Sequence, residues 1–396
     1  MKELVINSTA QHTMLLLVPL IVAALLRVCK IRGSSIIGGV FAGILLGPAV
    51  FGSLAPTYWE GVFQGGTFEH QLVDKLEQQQ KDDINSAKKI GASEVIMMQL
   101  RATQQYELDQ KIATWKTAQW KDQRTLRNYV LLLVLIVLLS GSMRRTVDAK
   151  SNTATSLTVG VWAALIPGGI IAVTSHYWWE TNIAQSIAIG ACLGAGPWTF
   201  TRWEQEAAND SEVGGAALMI RCGWVAWIIA SIAAFYSAWT VQGSMSLVWL
   251  LPLLFLPICW AMPKRNVLWL RWFTDYAAIP SIAATAMVLI HPLESLSFWP
   301  IVLVVLISSD GRWLGGMIGL LILGGRTSVN AMRISMPLVD AGASQLCMAA
   351  MLFGVGVMSQ ELTLAAIFGA IFIELTAPTR RKFATSIKEE TLFNCD

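Results

Sequence analysis

Four ionisable residues of this chain stand inside apolar sequence, where a charge has to earn its place. Asp310 and Arg312 lie two apart in the middle of 297–322, Arg221 is the only charged residue between Val213 and Gly243, and Asp340 falls within 334–357. On insertion scales each such charge costs about 2.5–3.5 kcal/mol at the centre of a membrane helix. A carboxylate placed there can hold a proton or a cation in turn. A guanidinium keeps its proton and acts as a fixed positive charge. Asp310 and Arg312 can pair with each other or with a broken helix, and a structural charge is the alternative to a transporting one. Asp340 can equally serve as an N-cap. Glu374 is expected to reach the interface, and Asp275 to contact solvent.

Other chemistry is sparse. The six cysteines are Cys29, Cys192, Cys222, Cys259, Cys347 and Cys395, five of them in or beside apolar runs and none in a CxxC pair. They read as small packing residues, not as a disulfide or metal set. Four histidines form no cluster, and no nucleophile–base set is visible. No enzyme, metal site or cofactor is expected.

The elements that position these residues are apolar helices. Of 396 residues, 54% are hydrophobic and 14% charged, against about 25% charged in an ordinary soluble domain. Residues 66–127 hold 19 of the charges in 62 positions, and the other 334 residues hold 36. The expectation is an all-α polytopic membrane protein with one soluble insert. Windows of membrane length place about 11 transmembrane helices, near 13–29, 36–54, 129–143, 155–175, 184–200, 214–238, 244–262, 270–290, 297–322, 334–357 and 361–377. The stretch 297–322 reads as one long helix, a broken helix or two short ones. No Ala-x-Ala cleavage pattern follows the first apolar run, so that helix is expected to be retained. The segments are then helices one and two (1–65), the insert (66–127), helices three to eleven (128–382) and a tail (383–396).

Lys/Arg clusters follow the odd-numbered helices: Arg27, Lys30 and Arg32; Arg144, Arg145 and Lys150; Arg202; Lys264, Arg265 and Arg271; Arg326 and Arg333; Arg380, Arg381 and Lys382. The positive-inside rule then puts the N-terminus and the insert outside and the C-terminus in the cytoplasm, a parity that favours a single crossing at 297–322.

The insert reads as an extracytoplasmic helical hairpin. Glu69 to Lys89 is helix-forming, Gly91 breaks it, and Ser93 offers an N-cap before Glu94. Ile96, Leu100, Leu108, Ile112 and Trp115 then recur at three- and four-residue steps as one apolar stripe. No Pro or Gly interrupts the chain from Ser93 to Ser140, so one helix is expected to run from Ser93 into the third span. The stripe is covered by the hairpin's own first helix, by a protein partner, or by both.

Residues 34–52 carry the most specific pattern. Gly39, Gly43 and Gly47 sit four apart, a spacing that lets helix backbones approach closely in lipid. The run Ala42 to Pro48, closed by Gly52, resembles the second helix of the monovalent cation:proton antiporter superfamily, of the glutathione-gated potassium-efflux and NapA type. Val130 to Gly141 looks like that family's third helix. Gly196, Pro197, Trp198 and Thr199 look like its unwound helix, and Asp340-Ala341-Gly342 stands where a second break is common, with Pro378 closing the last span. The resemblance covers about 13–59, 129–240 and 268–382. It implies an inverted repeat with two broken helices crossing at the midplane, an ion site built on a carboxylate of raised pKa, and a homodimer. A basic residue that neutralises the crossing is also implied, with Arg312 or Arg221 as the candidates.

Two departures follow. The acidic pair of the family falls by register near Gly223 and Trp224, which can neither exchange protons nor bind sodium through a side chain. Two helices after the seventh span are also missing. Trp178, Trp179, Trp269, Trp272 and Trp299 fit interfacial belts, whereas Trp198, Trp224 and Trp227 flank the ion site, as plugs or as an aromatic pocket for a ligand. Two functions stay open: an antiporter-like transporter with altered chemistry at Asp310 or Asp340, and a transport-inactive scaffold that docks a partner through its hairpin. The partners expected are the lipid bilayer, a protein at the hairpin and a second copy of the chain, with no nucleic acid.

Overall fold

A computed structural model describes residues 8–91, 93–143, 153–195, 232, 236, 268–290, 298–323, 328–336 and 342–386. The described elements are all helical. They are α1 (Ser8–Val28), α2 (Ser34–Leu46), the short α3 (Pro56–Trp59), α4 (Thr67–Lys89), α5 (Glu94–Asp122), α6 (Arg124–Met143), α7 (Thr153–Trp178), α8 (Ile183–Ala195), α9 (Leu268–Phe273), α10 (Ile279–Leu289), α11 (Phe298–Leu323), α12 (Ser328–Ser335), α13 (Gly342–Gly354) and α14 (Gln360–Ser386). Wider π-type turns occupy Pro48–Gly52, Glu60–Gln64 and Thr274–Ala278.

Among the described residues, four helical stretches are long and apolar enough to cross a membrane: Thr9–Val28, Ser34–Gly52, Phe298–Ile322 and Gln360–Arg380. Shorter apolar helices lie at Ile183–Gly194, Thr274–Leu289 and Gly342–Gly354. The expected spans at 129–143 and 155–175 coincide with α6 and α7. Those at 214–238 and 244–262 fall almost wholly outside the described residues. The stretch 297–322 is one unbroken helix, α11, which runs straight through Ser308 to Arg312. The stretch 334–357 is not one helix: α12 ends at Ser335 and α13 begins at Gly342.

Lipid tails offer helices no hydrophobic drive to associate, so close backbone approach has to hold the bundle. The second helix supplies it. A Cβ on Gly39 would stand 2.3 Å from the Pro280 carbonyl oxygen, and one on Gly43 would stand 2.5 Å from Met287 Cβ. Both glycines therefore face α10, and their matched order makes α2 and α10 parallel. Gly38 abuts the Ala23 backbone of α1 on the other side. Gly47 does not continue the Gly39–Gly43 face. It is extended (φ −78°, ψ −177°) and closes α2. Pro48 explains this, because its ring drives the preceding residue out of the helical region.

The last helix also departs from expectation. Pro378 lies inside α14, which continues to Ser386. The proline removes the N–H that would bond one turn back. Arg380 Nη2 donates to the Ile373 carbonyl at 2.7 Å, and Thr376 Oγ1 donates to the Phe372 carbonyl at 2.7 Å. Side-chain donors thus support the backbone around the proline, as they do in lipid generally.

The insert is an antiparallel pair, α4 and α5. Gly66 lies against Gln119, His70 against Trp115 and Gln80 against Gln104, in opposite chain directions. At about 1.5 Å per residue the pair is roughly 35–45 Å long. Gly65 and Gly66 turn into it with φ of +70° and +62°, the left-handed region that a side chain resists. Ser93 does stand at the N-cap of α5, with no side-chain capping bond. The helix from Ser93 is interrupted before the third span, at Gln123. The cause is the anchoring of the hairpin's base: Gln123 Nε2 donates to the Gln64 carbonyl at 3.0 Å, and the Gly66 N–H donates to Asp122 Oδ2 at 2.7 Å.

Candidate functional site

The candidate site is the junction of α7, α8 and α11, where Arg312 is 0% exposed. On a helix, residues two apart point to nearly opposite sides. Accordingly Asp310 is exposed while Arg312 points into the bundle. The two therefore do not pair with each other. Ser308 and Ser309 are buried on either side of the turn, and Ser309 Oγ donates to the Val305 carbonyl at 2.6 Å.

Arg312 instead reaches two backbone carbonyls of α8. Its Nε donates to the Gly194 carbonyl at 3.0 Å, and its Nη2 donates to the Leu193 carbonyl. Leu193 stands four residues before Pro197, which has no N–H to offer its carbonyl. Nη1 has no hydrogen-bond partner, and no described carboxylate is within ion-pair reach.

Glycines let the three helices close on this point. A Cβ on Gly194 would stand 2.3 Å from the Gly168 nitrogen, and one on Gly190 would stand 2.2 Å from the Gly168 carbonyl oxygen. On the α11 side, a Cβ on Gly315 would stand 2.5 Å from the Trp162 carbonyl oxygen, and one on Gly311 would stand 3.0 Å from Pro167 Cβ. Backbone meets backbone at this junction. Sequence reasoning missed this knot. Gly190–Gly194 and Gly311–Gly315 repeat the four-residue glycine spacing of Gly39–Gly43 and were open to the same argument.

A second polar cluster begins at the start of α13. A Cβ on Gly342 would stand 3.0 Å from Glu374 Cγ and 3.2 Å from its Oε1, so the half-buried carboxylate of α14 lies beside the positive end of α13. Gln345, 0% exposed, donates from Nε2 to the Ala366 carbonyl at 3.2 Å, and its Oε1 accepts no hydrogen bond.

Arg221, Gly223, Trp224, Gly196, Pro197, Trp198, Thr199 and Asp340 lie outside the described residues. In the hairpin, Leu100, Leu108, Ile112 and Trp115 are half-buried, while Ile96 is exposed. Trp115 packs on the His70 ring of α4, with centroids 4.5 Å apart. Among the described residues no group of three His, Cys, Asp or Glu side chains can hold a metal ion.

No protein-family model matches the chain, and no curated protein matches it.

Proposed function

We propose that the chain is an antiporter-like membrane protein that keeps a fixed cation in its core, Arg312, and lacks the exchangeable carboxylates, whose register falls on Gly223 and Trp224. The observation behind this reading is Arg312, fully buried and bonded to backbone carbonyls of α8, with Asp310 turned to the outside of α11. A permanent positive charge repels sodium or potassium and takes part in no proton exchange near neutral pH. The replacement of the family's acidic pair by Gly223 and Trp224 points the same way. The eleven-span inverted repeat, the cytoplasmic C-terminus and the homodimer belong to this reading.

In this reading the working part is the hairpin, placed on the outer side, where it docks a protein. Its tip supports that role: Ile90 is 83% exposed, Val95 66% and Met98 72%. The test is reconstitution of the full chain in liposomes under an imposed pH gradient. The expected result is no proton flux that depends on sodium or potassium. Cation-dependent flux that Asp310→Asn abolishes would overturn the reading.

A further inference from the structure

We propose that the turn between α1 and α2, together with the aromatic side chains of α9 beside it, binds the phosphate headgroup of an anionic phospholipid. Lys30 is the most telling residue. Its N–H donates to the Arg27 carbonyl at 2.9 Å, and the Ile31 N–H donates to the Leu26 carbonyl at 3.0 Å. These are the paired bonds of a Schellman helix ending, whose left-handed residue is usually glycine. Here that residue is a lysine, at φ +58°. A side chain resists this conformation, so the turn gives up some stability and presents an amine in return. Lys30 and Arg32 are both exposed.

The neighbouring elements complete a headgroup site. The Arg27 guanidinium lies 3.7 Å from the Tyr276 ring centroid, and Tyr276 stacks on Trp272 with centroids 5.2 Å apart. Arg27 Nη2 donates to Ser35 Oγ at 3.4 Å, and Ser35 Oγ donates to the Asp275 carbonyl at 2.6 Å. The end of α1, the start of α2 and the turn after α9 thus meet at one point. Trp269 and Trp272 are exposed about one helical turn apart on α9, and tryptophan favours the headgroup level of a bilayer. Leu25 and Val28 are exposed on α1 just before the turn. The acids alongside, Asp275 and Glu374, are half-buried, whereas Lys30 and Arg32 face outward, so the outer charge is positive. An apolar row that ends in exposed cations matches a molecule with both acyl chains and a phosphate, which a soluble anion is not.

Binding of this kind requires neither transport nor a docked protein, and liposome flux reports on the proposed function separately. The experiment follows the unfolding temperature of the full-length protein in neutral detergent as phosphatidylglycerol or phosphatidylcholine is added. A saturable rise with phosphatidylglycerol that phosphatidylcholine does not match is expected. Lys30→Gln and Arg32→Gln should each weaken the apparent affinity roughly fivefold, the effect of one lysine or arginine near an anionic surface. Lys30→Gly separates binding from folding. Glycine accepts the left-handed conformation, so the unfolding temperature without added lipid should hold or rise, while the lipid-induced rise shrinks as it does for Lys30→Gln. Glycerol phosphate is the soluble control: a matching rise that depends on Lys30 would assign the turn to a free phosphate and overturn the lipid reading. Equal rises with the two lipids, or a phosphatidylglycerol effect untouched by all three variants, would overturn it as well.

Discussion

Arg312 Nε donates to the Gly194 carbonyl at 3.0 Å, joining two helices whose contacting residues are 118 positions apart in the chain. The bond fixes the register of α11 against α8. It also fixes which side of α11 faces inward, and so sends Asp310 outward.

Removing the guanidinium should therefore be felt as lost structure first. Each charge-assisted hydrogen bond contributes about 1.5–3 kcal/mol, so Arg312→Met is expected to cost roughly 3 kcal/mol or more. Arg312→Lys should recover only part of this, because an ammonium cannot match the planar fork that spans both carbonyls. Chemical unfolding in detergent micelles measures both. Equal stability for the methionine variant would show that the two bonds are dispensable.

Ser281 performs a related service for α1. Pro19 lacks the N–H that would bond the Leu15 carbonyl, and Ser281 Oγ donates to that carbonyl at 2.6 Å. Its one proton is thereby committed, so Tyr129 is the donor in the 2.9 Å contact between the two hydroxyls. Ser281→Ala should cost about 1–3 kcal/mol by leaving buried groups unpaired. In a Pro19→Ala background the restored N–H serves Leu15, and the cost should shrink by about 1 kcal/mol in a double-mutant cycle. Strict additivity would break the proposed link between the proline and the serine.

The glycine faces predict a graded series. Gly39→Ala and Gly43→Ala drive a methyl into backbone atoms of α10, and overpacking of this kind costs about 1–3 kcal/mol or more. Gly169 sits on α7 with nothing within 4 Å of its would-be Cβ. Gly169→Ala should be neutral or stabilising by up to about 1 kcal/mol, since alanine is the better helix former. Parallel thermal unfolding of the three variants decides the matter, and a loss at Gly169 equal to that at Gly43 would refute the packing argument.

The local features were legible in the sequence. Apolar length predicted helices, and the four-residue glycine step predicted the α2 face at Gly39 and Gly43. The failures involve competing local effects or distant partners. Gly47 left the glycine face because Pro48 overrides helical spacing. Of the two pairings left open for Asp310 and Arg312, the mutual one fails because positions two apart on a helix point to nearly opposite sides. The role of Ser281 depends on a carbonyl 266 residues away, and no periodicity within one element can reveal that.

The hairpin offers the most direct test of topology. Met98 is 72% exposed near its tip, and Cys29 is exposed beside the basic cluster Arg27, Lys30 and Arg32. In a background where the other native cysteines are replaced, Met98→Cys should react with a membrane-impermeant maleimide on intact cells. Cys29 should react only after permeabilisation, because α1 is long and apolar enough to separate the two sides. Labelling of both cysteines on intact cells would place the hairpin and the basic loop on one side and would undo the orientation drawn from the positive charges.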